Sequence, residues 1–452
     1  WIFGAQNVNV RDESNWAQLD GDFVFDHASL RQLQFGLRWN DSERSAFGAI
    51  GQGPACSNGD AFNWDPATFN CPDPATSPFN PANFPQGFTL FPSDYAQGIG
   101  GTFPRAIWQY SPEQLAEYNR RFTTRDPVSR AFWQGDYGLQ EDSKAAYLQL
   151  DFGGVGWSGD VGLRYVRTNS EALVNVAASA NTPGAVTSSA FGAYLPTLYS
   201  RSYNDLLPSA NLRFEVGEDS VLRIAASRTM ARPDYSALAG PINLSPPADL
   251  NAPNAVGSGS GSNPFLDPVR SNNLDFAYEW YYAPRAMLSA AVYYMDLTNY
   301  IAIGRVRQQY LSFNQQNPSG ILVPYDLTIP VNSSGSVKGL ELSWQQPIGD
   351  NFGVFANFTY ADGEEDGGGE LVGTSKNTAN LGGYFENERF NVRLNYNYRS
   401  EFYSGLDRAS AFSQDAVGNV SASFGYKIND MLSLSLDGLN LNDPTLKYYA
   451  AS

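Results

Sequence analysis

The sequence predicts an all-β protein: an antiparallel barrel whose short strands cross a membrane. Three observations carry this expectation. Apolar and polar residues alternate along the whole chain, connections switch strictly between short and long, and 14% of the 452 residues are aromatic while only 17% are charged. Composition removes the main competitors. The longest unbroken apolar run is Ala290 to Met295, whereas a spanning helix needs about 20 apolar residues. A net charge of −17 argues against nucleic acid, whose phosphates would repel the chain. One His, His27, and two Cys are too few for the usual zinc or haem ligand sets and for the usual triads. The chain therefore reads as a non-enzyme with no cofactor and no metal.

The elements follow from periodicity of two, which puts alternate side chains on opposite faces. Gln32–Trp39, Ala146–Phe152, Leu274–Trp280, Asn391–Arg399, Val420–Tyr426 and Leu432–Asp437 each present one apolar and one polar face. Strands are expected at 18–26, 30–39, 143–152, 158–168, 203–215, 220–229, 272–282 and 287–306 in the first half. In the second half they are expected at 334–346, 352–361, 376–386, 390–399, 415–426 and 431–441, with another start at 447. That makes 15 strands, or 16 if residues 1–10 form one. Short links such as Gly217-Glu218-Asp219 and Ala283-Pro284-Arg285 alternate with long ones at 40–142, 169–202, 230–271, 307–333, 362–375 and 400–414. Outer-membrane barrels have this asymmetry, with short periplasmic turns, long extracellular loops and strands of about 9–11 residues. A soluble sandwich has no reason to send every long loop to one end.

This topology sets the faces. Apolar residues face lipid, Arg, Asn, Gln and Asp face the lumen, and Trp39, Trp280, Tyr281, Tyr282, Trp344, Tyr360 and Tyr398 suit the interfacial girdles. Open sheet edges in hydrocarbon leave backbone groups unsatisfied, so either sixteen strands close as a porin or further strands lie upstream. The chain begins at Trp1 without Met and stops at Ser452 in what reads like a strand, and it is treated as a piece of something longer.

The loops hold the remaining chemistry. Cys56 and Cys71 lie fifteen apart in the first long loop, and an oxidising cell surface favours a disulfide there. Asp362-Gly-Glu-Glu-Asp-Gly-Gly-Gly-Glu370 offers five carboxylates without calcium-loop order, which reads as a solvated run. Gly257-Ser-Gly-Ser-Gly261 has no lysine for a phosphate cradle and reads as a flexible tip. His27 falls in a turn, and the paired acids Glu141 and Asp142 are expected in solvent. Trp64, Trp108, Tyr110, Trp133 and Tyr137, among Asn, Gln and Asp, are the candidate ligand-binding residues. Flat rings stack on sugar C–H faces while amides and carboxylates read hydroxyls. The competing reading packs these rings, with Phe122, into a compact lid.

Tyr203-Asn-Asp-Leu-Leu-Pro-Ser-Ala-Asn-Leu-Arg-Phe214, followed by Val221-Leu-Arg-Ile-Ala-Ala-Ser-Arg-Thr-Met-Ala-Arg-Pro-Asp-Tyr235, resembles the mid-barrel signature of TonB-dependent outer-membrane receptors. The similarity is to the group common in Caulobacter- and Xanthomonas-like bacteria. Asn263–Pro268, Ser271–Tyr282, Val337–Ser343 and Leu436–Pro444 continue it in order, so that it covers about 140–450. Asp267 departs from it, standing where the family often has Lys. The resemblance implies a 22-stranded barrel around an N-terminal plug absent from this chain. It also implies TonB-energised uptake of a scarce nutrient, an oligosaccharide or a ferric siderophore. A passive porin and a surface receptor or adhesin are the readings from other functional classes.

Overall fold

The computed structural model describes residues 4–27, 29–63, 70–94, 107–189, 191–314, 316–317, 320–407 and 410–450. Fourteen strands follow one another as staves of a wall: β1 (Gly4–Val24), β2 (Leu30–Gln52), β3 (Tyr137–Gly154), β4 (Trp157–Ala178), β5 (Gly192–Glu215), β6 (Ser220–Ala231), β7 (Val269–Ala283), β8 (Ala286–Ser312), β9 (Ile321–Ile348), β10 (Phe352–Glu365), β11 (Asn377–Glu386), β12 (Phe390–Arg399), β13 (Val417–Lys427) and β14 (Ser433–Gly438). Each pairs antiparallel with the next. The first ten residues add no separate stave, because Gly4 to Val10 are the upper end of β1. The strand expected from 447 is also not a new stave. Asp415 N–H bonds to Lys447 O, and Tyr448–Ala450 pairs with Ser410–Gln414, so this segment continues the line of β14 upward. Among the described residues the outer edges of β1 and β14 do not pair with each other, so this is not a sixteen-strand porin closing on itself.

Directly opposed residues of an antiparallel pair share a face, which lets the two faces be traced from stave to stave. One row runs Trp157, Phe214, Leu222, Tyr278, Ala290, Leu342, Phe358, Ala379, Tyr398. The row beside it runs Ser158, Arg213, Arg223, Ala277, Ala291, Glu341, Thr359, Thr378, Arg399. The first face stays uncovered: Leu37 is 61% exposed, Leu148 53% and Leu381 57%. An antiparallel sheet in water would bury such a face, so it meets hydrocarbon here.

The upper limit of the apolar band is sharp. Its first polar outward positions are Lys144, Arg167 and Asn204 in one row, Arg228, Asn272 and Asp296 in another, and Lys338 opposite Asp362. Below them, on β4, the outward run from Trp157 to Tyr165 spans roughly 20 Å at about 3.3 Å per residue and about 40° tilt. That is close to the roughly 25 Å band of outer-membrane barrels. Aromatic pairs mark the short-turn end, including Phe152–Trp157, Trp280–Tyr282, Phe352–Phe385 and Phe390–Tyr426. Tyr281 does not join them. The register shifts between Trp280 and Ala283, and the Tyr281 hydroxyl donates to Glu279 on the polar face at 2.8 Å.

Above the band the staves run on, so several stretches expected as loop are strand. The first long connection begins after Gln52 and ends at Tyr137, and β4, β5, β8 and β9 reach 178, 192, 312 and 321. Residues 232–268 cross between them as a short helix (Tyr235–Ala239) and a hairpin of Ile242–Ser245 with Gly257–Gly261. The hairpin bonds in parallel to Val176 on one side and to 325–328 on the other. Beneath it lie two apolar clusters, one with Val174, Leu238, Ile242 and Leu266, the other with Val323, Tyr325, Leu327 and Ile329. Gly257–Gly261 is thus a packed strand rather than a loose tip. A Cβ on Gly259 would sit 2.6 Å from Leu327 Cδ2, which is why the strand is glycine.

The first loop carries the disulfide Cys56–Cys71 and helix α1 (Pro112–Arg121), which opens with a Ser111/Gln114 capping box. Phe122 is fully buried behind it. Arg130 ties the loop to β2, donating to Ile50 O at 3.0 Å and Gln52 Oε1 at 2.6 Å. Replacing both cysteines by serine is expected to cost this loop about 3 kcal/mol. The readout is faster backbone hydrogen exchange across 56–71 with an unchanged barrel melt; unchanged exchange would contradict it.

Candidate functional site

The wall just above the band carries four arginine–carboxylate pairs. Arg44 Nη1 lies 3.1 Å from Asp12 Oδ2, Arg232 Nε 3.7 Å from Glu141 Oε2, and Arg270 Nε 2.6 Å from Asp205 Oδ1. Arg201 pairs with Asp267. Asp205 shares its row with Val166, Ala145 and Arg38 on the polar face. Glu141 is 4% exposed rather than solvated, and Glu141 Oε1 and Asp205 Oδ2 are buried without a hydrogen-bond partner among the described residues. Tyr235, under the Arg44 guanidinium, has its hydroxyl pKa raised by burial and then by the nearby Glu141 and Asp12 charges. Each of these four arginines meets a carboxylate, whereas Arg38, in the row of Asp205, lies over the Trp16 ring at 5.5 Å.

A second feature opens at the mouth on the lumen side. The turn after β10 folds inward, so that Leu371, 2% exposed, covers Gly335 and Gly363, and the Val372 N–H donates to Tyr300 Oη at 3.0 Å. Behind this turn the hairpin of Phe402–Asp407 with Ser410–Gln414 closes a cavity of about 720 Å³. Tyr300, Glu365, Glu370, Tyr403, Ser404 and Ser413 supply its polar lining, and among the described residues no lysine or arginine contributes. The Tyr403 hydroxyl pKa is raised by burial and by the charge of Glu365. Asp362, at the start of the acidic run, faces Lys338 at 3.3 Å and Lys376 at 3.8 Å. Among the described residues no three His, Cys, Asp or Glu side chains converge as a metal site.

The five aromatic candidates do not converge. Trp64 lies outside the described residues. Trp108 is 57% exposed and packs edge-to-face on Tyr110 at 5.3 Å, on a small ribbon of Thr89–Leu90 with Trp108–Gln109. Trp133 and Tyr137 line a different cavity of about 740 Å³ at the rim. There Trp133 O accepts from Asn175 Nδ2 at 2.9 Å, and Asp136 Oδ1 accepts from the Gly48 N–H at 2.6 Å. Burial raises the Asp136 carboxyl pKa, and the Gly48 bond works against that shift. Sequence reading missed the arginine pairs and the Tyr300–Tyr403 cavity. The acidic run and Asp267 were visible as unusual, but their partners lie on other staves.

A family model, TonB dependent receptor-like, beta-barrel, matches residues 2–441. No curated protein matches. Among solved structures, the copper transporter OprC is similar at 13% identity and TM-score 0.56, over 97% of this chain and 52% of that one. The ferric-catecholate import receptor Fiu from K12 E. coli is similar at 15% identity and TM-score 0.56, over 97% and 51%. The ferric yersiniabactin uptake receptor FyuA from Yersinia pestis is similar at 12% identity and TM-score 0.54, over 98% and 50%. The chain spans about half the length of the structures it matches, and at such identities the likeness is one of fold. With its uncovered apolar band, aromatic end and inward polar rows, the chain is an outer-membrane barrel, and it belongs to the TonB-dependent receptor β-barrel family.

Proposed function

We propose that the protein is an outer-membrane receptor that imports a neutral, hydroxyl-rich nutrient, an oligosaccharide, with energy from the TonB complex of the inner membrane. The observation that carries this reading is the mouth cavity, where Tyr300 and Tyr403 stand beside Glu365, Glu370 and two serine hydroxyls with no cation in the lining among the described residues. Rings give stacking faces and carboxylates accept from sugar hydroxyls. The earlier resemblance to the Caulobacter- and Xanthomonas-like group supports the same ligand class. A ferric-siderophore receptor is the second reading, favoured by the printed titles of Fiu and FyuA. Four arginines of the wall are already paired with carboxylates, which speaks against their holding an anionic chelate.

The test is binding of the purified receptor to a panel of neutral oligosaccharides and ferric siderophores, alongside growth of a deletion strain on the same compounds. Glu370→Gln is expected to weaken sugar binding by about 1.5–3 kcal/mol, the usual worth of a hydrogen bond to a charged group. Tyr403→Ala is expected to weaken it further by loss of stacking. A receptor that binds only ferric chelates overturns the sugar reading. Uptake that survives disruption of TonB makes the protein a passive pore, and loss of none of these nutrients in the deletion strain favours adhesion.

A further inference from the structure

The lumen wall beneath the mouth cavity changes character from stave to stave. Tyr293, Phe355 and Tyr384 share the inward face with Ala291, Thr359 and Thr378. Each is half-buried and stands directly opposite a glycine: Tyr293 opposite Gly339, Phe355 opposite Gly382 and Tyr384 opposite Gly353. A Cβ on any of these glycines would collide with the facing ring. The rings therefore lie back against the wall, one face on backbone and the other turned to the lumen. A further inward ring, Tyr147 on Gly36, lies across the charged staves β4–β7 and donates its hydroxyl to Asp20 at 2.9 Å.

Between the heights of Tyr293 and Phe355, an amide row crosses four adjacent staves. Asn357, Asn380, Asn397 and Asn419 stand directly opposite one another from β10 to β13. The next inward row down is Phe355, Gly382, Asn395 and Ser421. Asn395 Oδ1 and Asn419 Oδ1 are buried without a hydrogen-bond partner among the described residues. An unmet acceptor costs stability, so packing of the wall does not account for these amides. Followed the other way, through Ser343 and Ser289, the asparagine row reaches Glu279 and Glu215, which pair with Arg223 at 2.8 Å and Arg213 at 2.7 Å. Charge returns one row above the asparagines at Glu341 and Arg399, and one row below Asn395 at Arg393.

The rings and amides line up under the cavity. Gly339 is opposite Ala361, four residues below Glu365 of the mouth cavity, and Pro347, opposite Gly353, is eight residues further down β9. At about 3.3 Å per residue, the strip starts about 13 Å beneath Glu365 and runs about 26 Å along the strand. A flat ring face suits the C–H face of a sugar, and uncharged amides both donate to and accept from hydroxyls. An ionic partner finds its counter-charges on β5–β7 instead.

We propose that this strip of β8–β13 is the path a neutral oligosaccharide follows from the mouth cavity through the band, its sugar rings passing over Tyr293, Phe355 and Tyr384 and its hydroxyls meeting the asparagine row. The path rests on the sugar reading of the mouth cavity and is a transport site apart from the capture site.

The test uses the whole receptor, purified for binding and returned to the deletion strain for uptake. The probe is the radiolabelled neutral oligosaccharide that the wild type binds most tightly. Phe355→Ala with Tyr384→Ala is expected to lower the maximal uptake rate by about tenfold or more while Kd moves by less than about twofold. Phe355→Tyr with Tyr384→Phe keeps both ring faces and should transport within about twofold of wild type. Tyr147→Ala, which strips a ring from a glycine on the other wall, should transport as wild type does. Asn380→Leu with Asn397→Leu removes two amides and should lower uptake as the ring variant does, which keeps the test open if the ring variant fails to fold. Unchanged uptake in a folded ring variant or in the amide variant, or an equal loss in Tyr147→Ala, overturns the path while sugar binding stands. A receptor that binds no neutral oligosaccharide overturns the sugar reading and the path with it.

Discussion

Asp205→Ala is expected to lower the unfolding free energy of the receptor in lipid vesicles by about 3–5 kcal/mol, the usual cost of stranding one member of a buried ion pair. The side chain of Asp205 is 1% exposed and that of Arg270 15%, with 2.6 Å between Oδ1 and Nε. Removing the carboxylate leaves a guanidinium inside the wall with no counter-charge. Most of the cost is that uncompensated charge rather than the lost bond. Replacing both residues with apolar ones, Asp205→Leu with Arg270→Met, should therefore recover most of the loss and can even exceed wild type. Urea unfolding of the two single variants and the double variant gives the cycle. A cost under about 1 kcal/mol for Asp205→Ala would mean that water reaches this level freely.

What the sequence disclosed, and what it hid, divides along the same physical line. Inside the band, alternation is enforced by two different solvents, lipid and lumen. Stretches such as Gln32–Trp39 and Leu274–Trp280 therefore mark staves whose register the structure keeps. Above the band both faces meet protein or water, and the contrast fades. Ala172, Val174 and Val176, and likewise Val323, Tyr325, Leu327 and Ile329, still alternate, but their period encodes a protein core rather than a membrane. Leu173 and the prolines Pro324 and Pro330 on the other face blur that alternation, so the segments resemble loop in sequence. The site residues were harder still. Arg270 and Asp205 are 65 positions apart on staves that are not hydrogen-bonded to each other, and Tyr300 and Tyr403 meet only because two loops fold inward. Composition can suggest arginines and acids, but only register pairs them.

Leu163→Arg and Gln149→Arg should part company by about 2–4 kcal/mol, although the two residues lie on adjacent staves at nearly the same height. Leu163 stands in the outward row of Phe35, Leu148 and Pro208 and is 46% exposed, whereas Gln149 stands in the inward row of Gln34, Gly162 and Ser209. An arginine on the lipid face near the midplane costs about 2–4 kcal/mol, and a lumen position carries no such penalty. The comparison isolates the face, because both changes add the same side chain to a strand of the same sheet. Folding from urea into vesicles, followed by the heat-dependent gel shift of a closed barrel, reads the difference. Equal costs for the two variants would mean that the apolar face is not in hydrocarbon. The lipid-facing band, the height of the Lys144–Arg167 row and the inward position of the mouth cavity all depend on that face, so this pair of substitutions tests them together.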